Sequence, residues 1–424
     1  MVEFFSFDLP SAPFLTPAQI LLKSFSTPAQ PFLNSYSTSS TTPTQPFFQK
    51  KLNMQKPILA LFSPNENRYT ETFVQAHRHL LNADVRYLYG GWRPQFSETR
   101  GPLVGQDFWS RTLRLIEKHL FPATHFSTHE KAIVRFLKEE KVEVALAEFG
   151  VTGAKVYRAC REAGVPLIVH FHGFDAFMDV TLKEYGSIYR DMFSYASFIV
   201  GVSRQMCAQL EDLGAPKEKI VHTACGPATA FFEIQPTFSE RAFIAVGRFV
   251  PKKAQYISIQ AFARVVERFP DMRLRLGGEG PLMESCQNLA QELGIADKVE
   301  FAGPIPHERV REWFQHALAL VQHSVTAPGG DSEGTPVAVM EASAAGLPVI
   351  ATRHAGIPDV VVEGKTGLLV DEHDVDGFAD AMMQIAGNEA LARQLGAAGK
   401  AFIAQNFSIE RHIAILDDLV RRAV

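Results

Sequence analysis

Beyond residue 56 the chain alternates short apolar runs with longer helical stretches. Runs at 57–62, 85–88, 142–147, 167–171 and 198–202 have the length of buried strands. Strand–helix alternation of this kind predicts a parallel sheet with helices on both faces. The series restarts at 243–247 and continues through 273–276, 299–301, 317–321, 347–350 and 367–370, which predicts a second sheet of the same kind. The break falls near 231–239, where Pro236 and the polar stretch Thr237-Phe-Ser-Glu240 read as a hinge. The expected architecture is α/β, with two Rossmann-like, doubly wound domains at 54–235 and 236–407. They face a central cleft at the carboxyl ends of their strands, where open α/β sheets bind ligands. Residues 408–424, with Ile409, Ile413, Ile415, Leu416 and Leu419 set among charges, predict an amphipathic helix.

Residues 1–53 break this pattern: Ser, Thr and Pro abound, Arg is absent and the only acids are Glu3 and Asp8. An unfolded leader ahead of Met54 is the expectation, and the lack of Arg argues against a transit peptide. The remaining composition narrows the function classes. A formal net charge of −4, with no clustered Lys/Arg interleaved with aromatics, argues against a nucleic-acid partner. Cys160, Cys207, Cys225 and Cys286 are far apart and form no Cys-x-x-Cys pair, so neither a zinc site nor a disulfide framework is expected, and a reducing cytoplasm fits. No apolar run reaches the roughly 20 residues that cross a bilayer. The basic, amphipathic stretch Arg111-Thr-Leu-Arg-Leu-Ile-Glu-Lys-His-Leu-Phe121 leaves peripheral contact with a membrane face open, against the simpler reading that it packs on its own domain.

The most informative stretch runs from Asp331 to Thr352. Pro336 suits a first helical position and Gly346 a helix stop, which predicts a helix over about 336–345. Behind Gly334 and Thr335, its N-terminus offers unpaired N–H groups and a partial positive charge, a seat for a diphosphate. Glu333 precedes this seat, and Glu341 lies five residues past Pro336, about 7.5 Å along the axis. Two carboxylates flanking an anion site can accept from hydroxyls on both sides of a diphosphate, as a nucleotide sugar requires. Alternatively, Glu333 is a helix-dipole partner and Glu341 a solvated helix residue.

Glu333-x7-Glu341, followed by Ala345-Gly-Leu-Pro-Val-Ile-Ala-Thr352, Gly356-Ile-Pro-Asp359 and Gly364-Lys-Thr-Gly-Leu-Leu-Val370, resembles the retaining group 1 glycosyltransferases of GT-B fold. With Thr326-Ala-x-Gly-x-Asp331 ahead of the first Glu, the chain is similar to the enzymes of colanic-acid and other exopolysaccharide assembly. The resemblance extends from about Met54 to the end and is strongest over 240–375. It implies transfer of a hexose-type sugar from a nucleotide-diphosphate donor, such as a UDP- or GDP-sugar, to a glycan or lipid-linked acceptor. It further implies that Glu333 contacts the donor sugar, that Gly334, Thr335 and Pro336 receive the sugar and phosphates, and that Glu341 holds the ribose. Arg248 and Lys253, in Val246-Gly-Arg-Phe-Val-Pro-Lys-Lys253, match cations that bind the diphosphate; the plain alternative is a solvated basic turn. Two such cations stabilise a departing diphosphate without a metal.

Weaker signals follow. Gly278 and Gly280, in Gly277-Gly-Glu-Gly-Pro281, would border the nucleotide base by resemblance, yet a tight βα turn explains them equally well. His172, in Val169-His-Phe-His-Gly-Phe-Asp175, resembles the family's active-site His; a structural His is the alternative. The resemblance further implies that Glu71, Thr72, Asp175 and Ser203 fall on the acceptor side, though Asp175 could equally cap the next segment. The sequence departs from the family at Ala254, where Gly is usual, in the first βα loop, which lacks paired glycines, and at Cys225-Gly-Pro227. Asp374-Val-Asp376 matches a metal-binding D-x-D but precedes a helical stretch, so a cap is expected, and no metal. Competing readings are a nucleotide-sugar epimerase on the same fold, a phosphorylase, for which no lysine-centred pyridoxal phosphate site is evident, and a catalytically silent sugar-nucleotide-binding protein.

Overall fold

Two parallel sheets carry the described residues of the computed structural model, which are 56–67, 71–108, 112, 116, 117 and 126–424. The leader at 1–53 and most of the stretch 111–121 lie outside them.

The first sheet contains β1 (Ile58–Phe62), β2 (Asp84–Tyr89), β3 (Phe96–Ser97), β4 (Gly101–Pro102), β5 (Val144–Glu148), β6 (Leu167–Phe171), β7 (Phe198–Gly201) and β8 (Ile220–His222). Its order is β4-β3-β2-β1-β5-β6-β7-β8, parallel except where the β3–β4 hairpin extends it beyond β2. Strands β5 and β6 are buried along their whole length, as expected where helices cover both faces. The second sheet contains β9 (Ala242–Val246), β10 (Arg273–Gly277), β11 (Val299–Gly303), β12 (Ala319–Gln322), β13 (Val349–Thr352) and β14 (Gly367–Val370). Its order, β11-β10-β9-β12-β13-β14, is that of a dinucleotide-binding Rossmann fold. Strand order reverses between β1 and β5 in one sheet and between β9 and β12 in the other. Those switch points open the two crevices from which the candidate site is built.

The expected strands are present, with ends displaced by one or two residues. Missing from the sequence reading are β3, β4 and β8, whose two or three residues form no apolar run. The expected helix at 336–345 runs over Val337–Ala345 and closes at left-handed Gly346 (φ 82°). Its start requires a correction: Pro336 is not the first helical residue but the cap before it, with an extended ψ of 119°. That conformation keeps its ring outside the helix while its carbonyl accepts from the Val339 N–H at 3.1 Å.

The last helix, Ile409–Ala423, leaves the second sheet and returns to the first. Ser408 caps it through the Arg411 N–H at 3.2 Å. Its apolar stripe, Ile409, Ile413, Leu416, Leu419 and Val420, packs on Leu59, Leu61, Val144, Ile168 and Val200. Each of these buried aliphatic side chains contributes about 1.5–3 kcal/mol, so the C-terminal segment is part of the first sheet's core. Residues 55–424 form one compact unit. Among the described residues, no helix is long and apolar enough to cross a membrane.

Candidate active site at two facing switch points

In the second crevice, the turn after β9 meets the loop after β12. Lys253 pairs with Glu333 at 3.2 Å, and both side chains are largely buried. Burial pushes the Glu333 carboxyl up, but Lys253, Lys252 and His354 outweigh it and hold the group below the usual range, so it is an acceptor at neutral pH. Lys252, buried, anchors the loop by donating to Asp331 at 2.9 Å and to the Ser332 carbonyl at 3.0 Å. His354 receives the Glu333 N–H at 3.2 Å and is itself held by Glu372 at 2.6 Å. Arg248 differs from these: its side chain is exposed.

Glu341 faces the same crevice from the Val337–Ala345 helix. It is 7% exposed, which removes the solvated-residue alternative. With no cation to offset it, burial pushes its carboxyl up to about 7. Between the two carboxylates, the N–H groups of Gly334, Thr335, Val337 and Ala338 meet no hydrogen-bond acceptor among the described residues. Unpaired donors at a helix start form a ready anion site.

Gly278 and Gly280 serve the turn itself. With φ of 138° and 154°, they bring their backbone so close to residues 247–249 that added Cβ atoms would lie 2.1 Å from the Gly247 carbonyl oxygen and 2.4 Å from that of Phe249. Ala254, at left-handed φ 40°, occupies the position where Gly would be unstrained. Asp374 caps the Val375–Ala386 helix through the Gly377 N–H at 2.8 Å, and Asp376 pairs with Arg264, so both acids of the D-x-D are engaged.

The first crevice is built mainly from rings. His172, just past β6, donates or accepts through Nε2 with Glu148 at 2.8 Å, at the end of β5. Its ring stacks on Phe73 at 4.1 Å and packs on Phe149 at 4.7 Å. Phe149 adopts φ 70° to reach this position, a strained conformation for a bulky residue. Burial pushes the His172 imidazole down despite the opposing Glu148, favouring the neutral ring. Asp175 is wholly buried and accepts from the N–H groups of Gly150, His172 and Gly173 at 2.8–3.1 Å. It shapes the His172 loop. Ser203 likewise spends its hydroxyl on a helix cap, accepting from Met206 at 3.0 Å. Glu71 accepts from the Asn65 amide at 3.0 Å with both oxygens, and Thr72 stands exposed at the start of its helix.

The two crevices touch. A Cβ at Gly334 would lie 2.3 Å from the His172 carbonyl oxygen, and the Thr335 hydroxyl donates to the Val202 carbonyl at 2.5 Å. The Arg204 N–H donates to Asp359 at 2.8 Å across the same seam. His172, Glu333, Lys253, Gly334 and Thr335 are thereby gathered at one place, with Glu341 behind them. Sequence reasoning missed Glu148, Phe149 and His354. None lies in a motif that signals its partner, and each acquires its role from a neighbour distant in the chain.

Two doubly wound sheets meeting at their switch points define the GT-B architecture. Residues 229–402 match the family model for glycosyl transferases group 1, and residues 67–229 match that for glycosyltransferase family 4. The two glycosyltransferase models together span residues 67–402, one over most of the first sheet and the other over the second. It is similar to the putative colanic acid biosynthesis glycosyltransferase WcaL of Escherichia coli, 32% identical over 57% of this chain and 61% of the relative. A GDP-mannose-dependent alpha-(1-6)-phosphatidylinositol monomannoside mannosyltransferase of Mycolicibacterium smegmatis is 31% identical over 53% of this chain and 62% of the relative. The alignments thus span about three fifths of the length of these relatives. Among solved structures, Anabaena HepE in complex with UDP superposes with a TM-score of 0.68 at 17% identity, covering 86% of this chain and 100% of HepE. Sucrose-phosphate synthase of Thermosynechococcus elongatus does so with a TM-score of 0.66 at 19% identity, covering 87% and 99%.

Proposed function

We propose that this chain is a retaining hexosyltransferase that moves a sugar from a nucleotide-diphosphate donor to a glycan or lipid-linked acceptor, with no metal at the diphosphate. The observation that carries this reading is the open row of N–H donors from Gly334 to Ala338, flanked by ionised Glu333 paired with Lys253 on one side and by buried Glu341 on the other. Glu333 accepts from donor-sugar hydroxyls, and Glu341 accepts from the ribose. The N–H row, Lys253 and the exposed guanidinium of Arg248 stabilise the leaving diphosphate as its charge develops. His172, neutral and clamped between aromatic rings, directs its ring toward the sugar and acceptor. The Glu333 carboxylate is committed to Lys253, so we assign no covalent nucleophile. The acceptor hydroxyl attacks on the face the diphosphate leaves, and a leaving-phosphate oxygen takes its proton.

The relatives' names support an exopolysaccharide or lipid-linked acceptor. They leave the nucleotide as UDP, by likeness to HepE, or GDP, by likeness to the mannosyltransferases. We place the reaction in the cytoplasm, with the acceptor supplying contact to the membrane face. The test is release of nucleoside diphosphate from a panel of UDP-, GDP- and ADP-sugars. One donor should be consumed by the wild type and spared by Glu333→Gln. An epimerase would convert that donor without releasing diphosphate, and a silent binding protein would bind it unchanged.

A further inference from the structure

Behind His172, on the side away from the donor, four residues of metal-ligating type converge: His77, His170, Cys225 and His412. One ligand atom from each lies within 4.8 Å of the others, and all four residues are buried. They come from the Thr72–Leu80 helix, from β6, from the segment after β8 and from the C-terminal helix. The three rings form a near-regular triangle, with centroids 5.4, 5.0 and 5.6 Å apart. One of the four lacks hydrogen-bonding satisfaction among the described residues. Both ring nitrogens of His170, a wholly buried residue, are without a hydrogen bond, although Nδ1 stands 3.4 Å from Glu148. Cys225 is a free buried thiol. Buried polar nitrogens are rarely left unpaired, and here one of the two stands within a cluster of metal-ligating side chains.

We propose that His77, His170, Cys225 and His412 form a closed tetrahedral site for a divalent transition-metal ion, zinc by its ligand set. Three imidazoles and one thiolate match zinc's preference, and a site with four protein ligands and no open position is structural. The surrounding shell is already built. Glu148 engages Nδ1 of His77 at 2.5 Å and the Thr223 hydroxyl engages Nδ1 of His412 at 2.9 Å. Each leaves its histidine's Nε2 turned inward, and these two nitrogens stand 2.8 Å apart. A carboxylate or hydroxyl on the far nitrogen is the arrangement that orients metal-bound histidines. Ligands at about 2.0–2.3 Å from zinc are separated by roughly 3.5 Å. The cluster reaches this by opening the His77–His412 contact and closing the wider ones through ring rotation.

Charge supports the same occupant. Zinc carries two positive charges, the Cys225 thiolate and Glu148 one negative charge each, so the buried ensemble is neutral, whereas a lone buried carboxylate is costly. Entry has a route, since a cavity of about 190 Å³ between the end of β8 and the last helix is lined by Thr223 and His412. The ion would fasten the Ile409–Ala423 helix to the first sheet. It would also fix Glu148, whose other oxygen holds His172. The four ligands are separated by 93, 55 and 187 residues, which is why no spacing motif announces them.

The proposal is independent of the transferase reading, and its test reads no activity. The full chain, purified from metal-supplemented medium under reducing conditions and without chelator, is measured for bound metal by mass spectrometry. A second preparation has cobalt(II) added and its electronic spectrum recorded. The expected result is one zinc per chain and, with cobalt, tetrahedral d–d bands plus a thiolate-to-cobalt charge-transfer band. Cys225→Ser should lose the charge-transfer band and His412→Gln should bind at least tenfold more weakly, while Cys286→Ser, at a buried cysteine elsewhere, changes neither. A wild type with no stoichiometric metal after zinc addition and no thiolate band overturns the proposal. So does a band that survives in folded Cys225→Ser or vanishes in Cys286→Ser. The wild-type spectrum alone decides if a variant fails to fold.

Discussion

The two crevices that meet at the site solve different physical problems with different residues. The second-sheet side is ionic: Glu333, Lys253, Lys252 and Asp331 are cross-paired, and Glu341 has no ion-pair partner among the described residues, beside a row of backbone donors. The first-sheet side presents neutral rings, Phe73, Phe149 and His172, with one carboxylate, Glu148, buried behind them. A diphosphate needs fixed positive charge that is present before it arrives. A sugar and its acceptor need shape and directed hydrogen bonds. The ionic side therefore governs donor binding and departure of the leaving group, while the ring-lined side governs where the acceptor attacks.

The largest expected effect is on the ionic side. Glu333→Gln and Lys253→Ala should each lower kcat/KM by about a hundredfold to a thousandfold, the range for removing a preorganised electrostatic group, with cooperative unfolding retained. Circular-dichroism melts beside steady-state rates check this; full turnover by both variants would dissolve the distinction between the two sides. Next is His172→Asn, expected to lower kcat about tenfold to a hundredfold, as loss of a directed hydrogen bond would, while calorimetric affinity for the nucleoside diphosphate stays unchanged. Loss of nucleotide affinity instead would move His172 to the donor side.

Glu341 gives a pH signature. Its carboxyl is pushed up to about 7 in the folded chain from 4.5, so between these values the folded state holds the proton more tightly than the unfolded. Stability from this residue falls as pH rises through that window, by up to about 3 kcal/mol, and is flat above it. Glu341→Gln should therefore be more stable than wild type at pH 8 but not at pH 4. Donor affinity should run the opposite way, rising with pH through about 7 as the carboxylate becomes a hydroxyl acceptor, and Glu341→Gln should abolish that rise. A smaller effect belongs to the turn that carries Lys253. Ala254→Gly relieves a left-handed φ of 40° and should change stability by less than about 1 kcal/mol, with rates unaltered.

The sheets were legible because parallel strands buried on both faces are continuous apolar runs, such as Leu167–Phe171 and Gly367–Val370. The hairpin at Phe96–Ser97 and Gly101–Pro102 has too few residues to leave such a trace. On the ionic side, Glu333 and Glu341 could be read because one helix start places them, a local feature, and Lys253 through the resemblance its turn carries. Glu148 could not: it ends an apolar strand, and its meaning comes from His172, 24 residues on, and His77, 71 residues back. The same holds for His412, which interrupts the apolar stripe of the last helix and reads there as a surface residue although it is buried. Pro336 shows the limit of local rules, since either of two adjacent positions satisfies proline and only the surrounding chain chooses between them.

The account's central claim is that the paired Glu333 and Lys253 and the adjacent helix start hold a nucleotide-sugar donor for transfer. Donor-panel turnover of the wild type against Glu333→Gln tests it most directly. The account predicts release of diphosphate from a single UDP- or GDP-sugar by the wild type and at least a hundredfold less by the variant. Equal release by both proteins, or neither binding nor release with any donor, would contradict it.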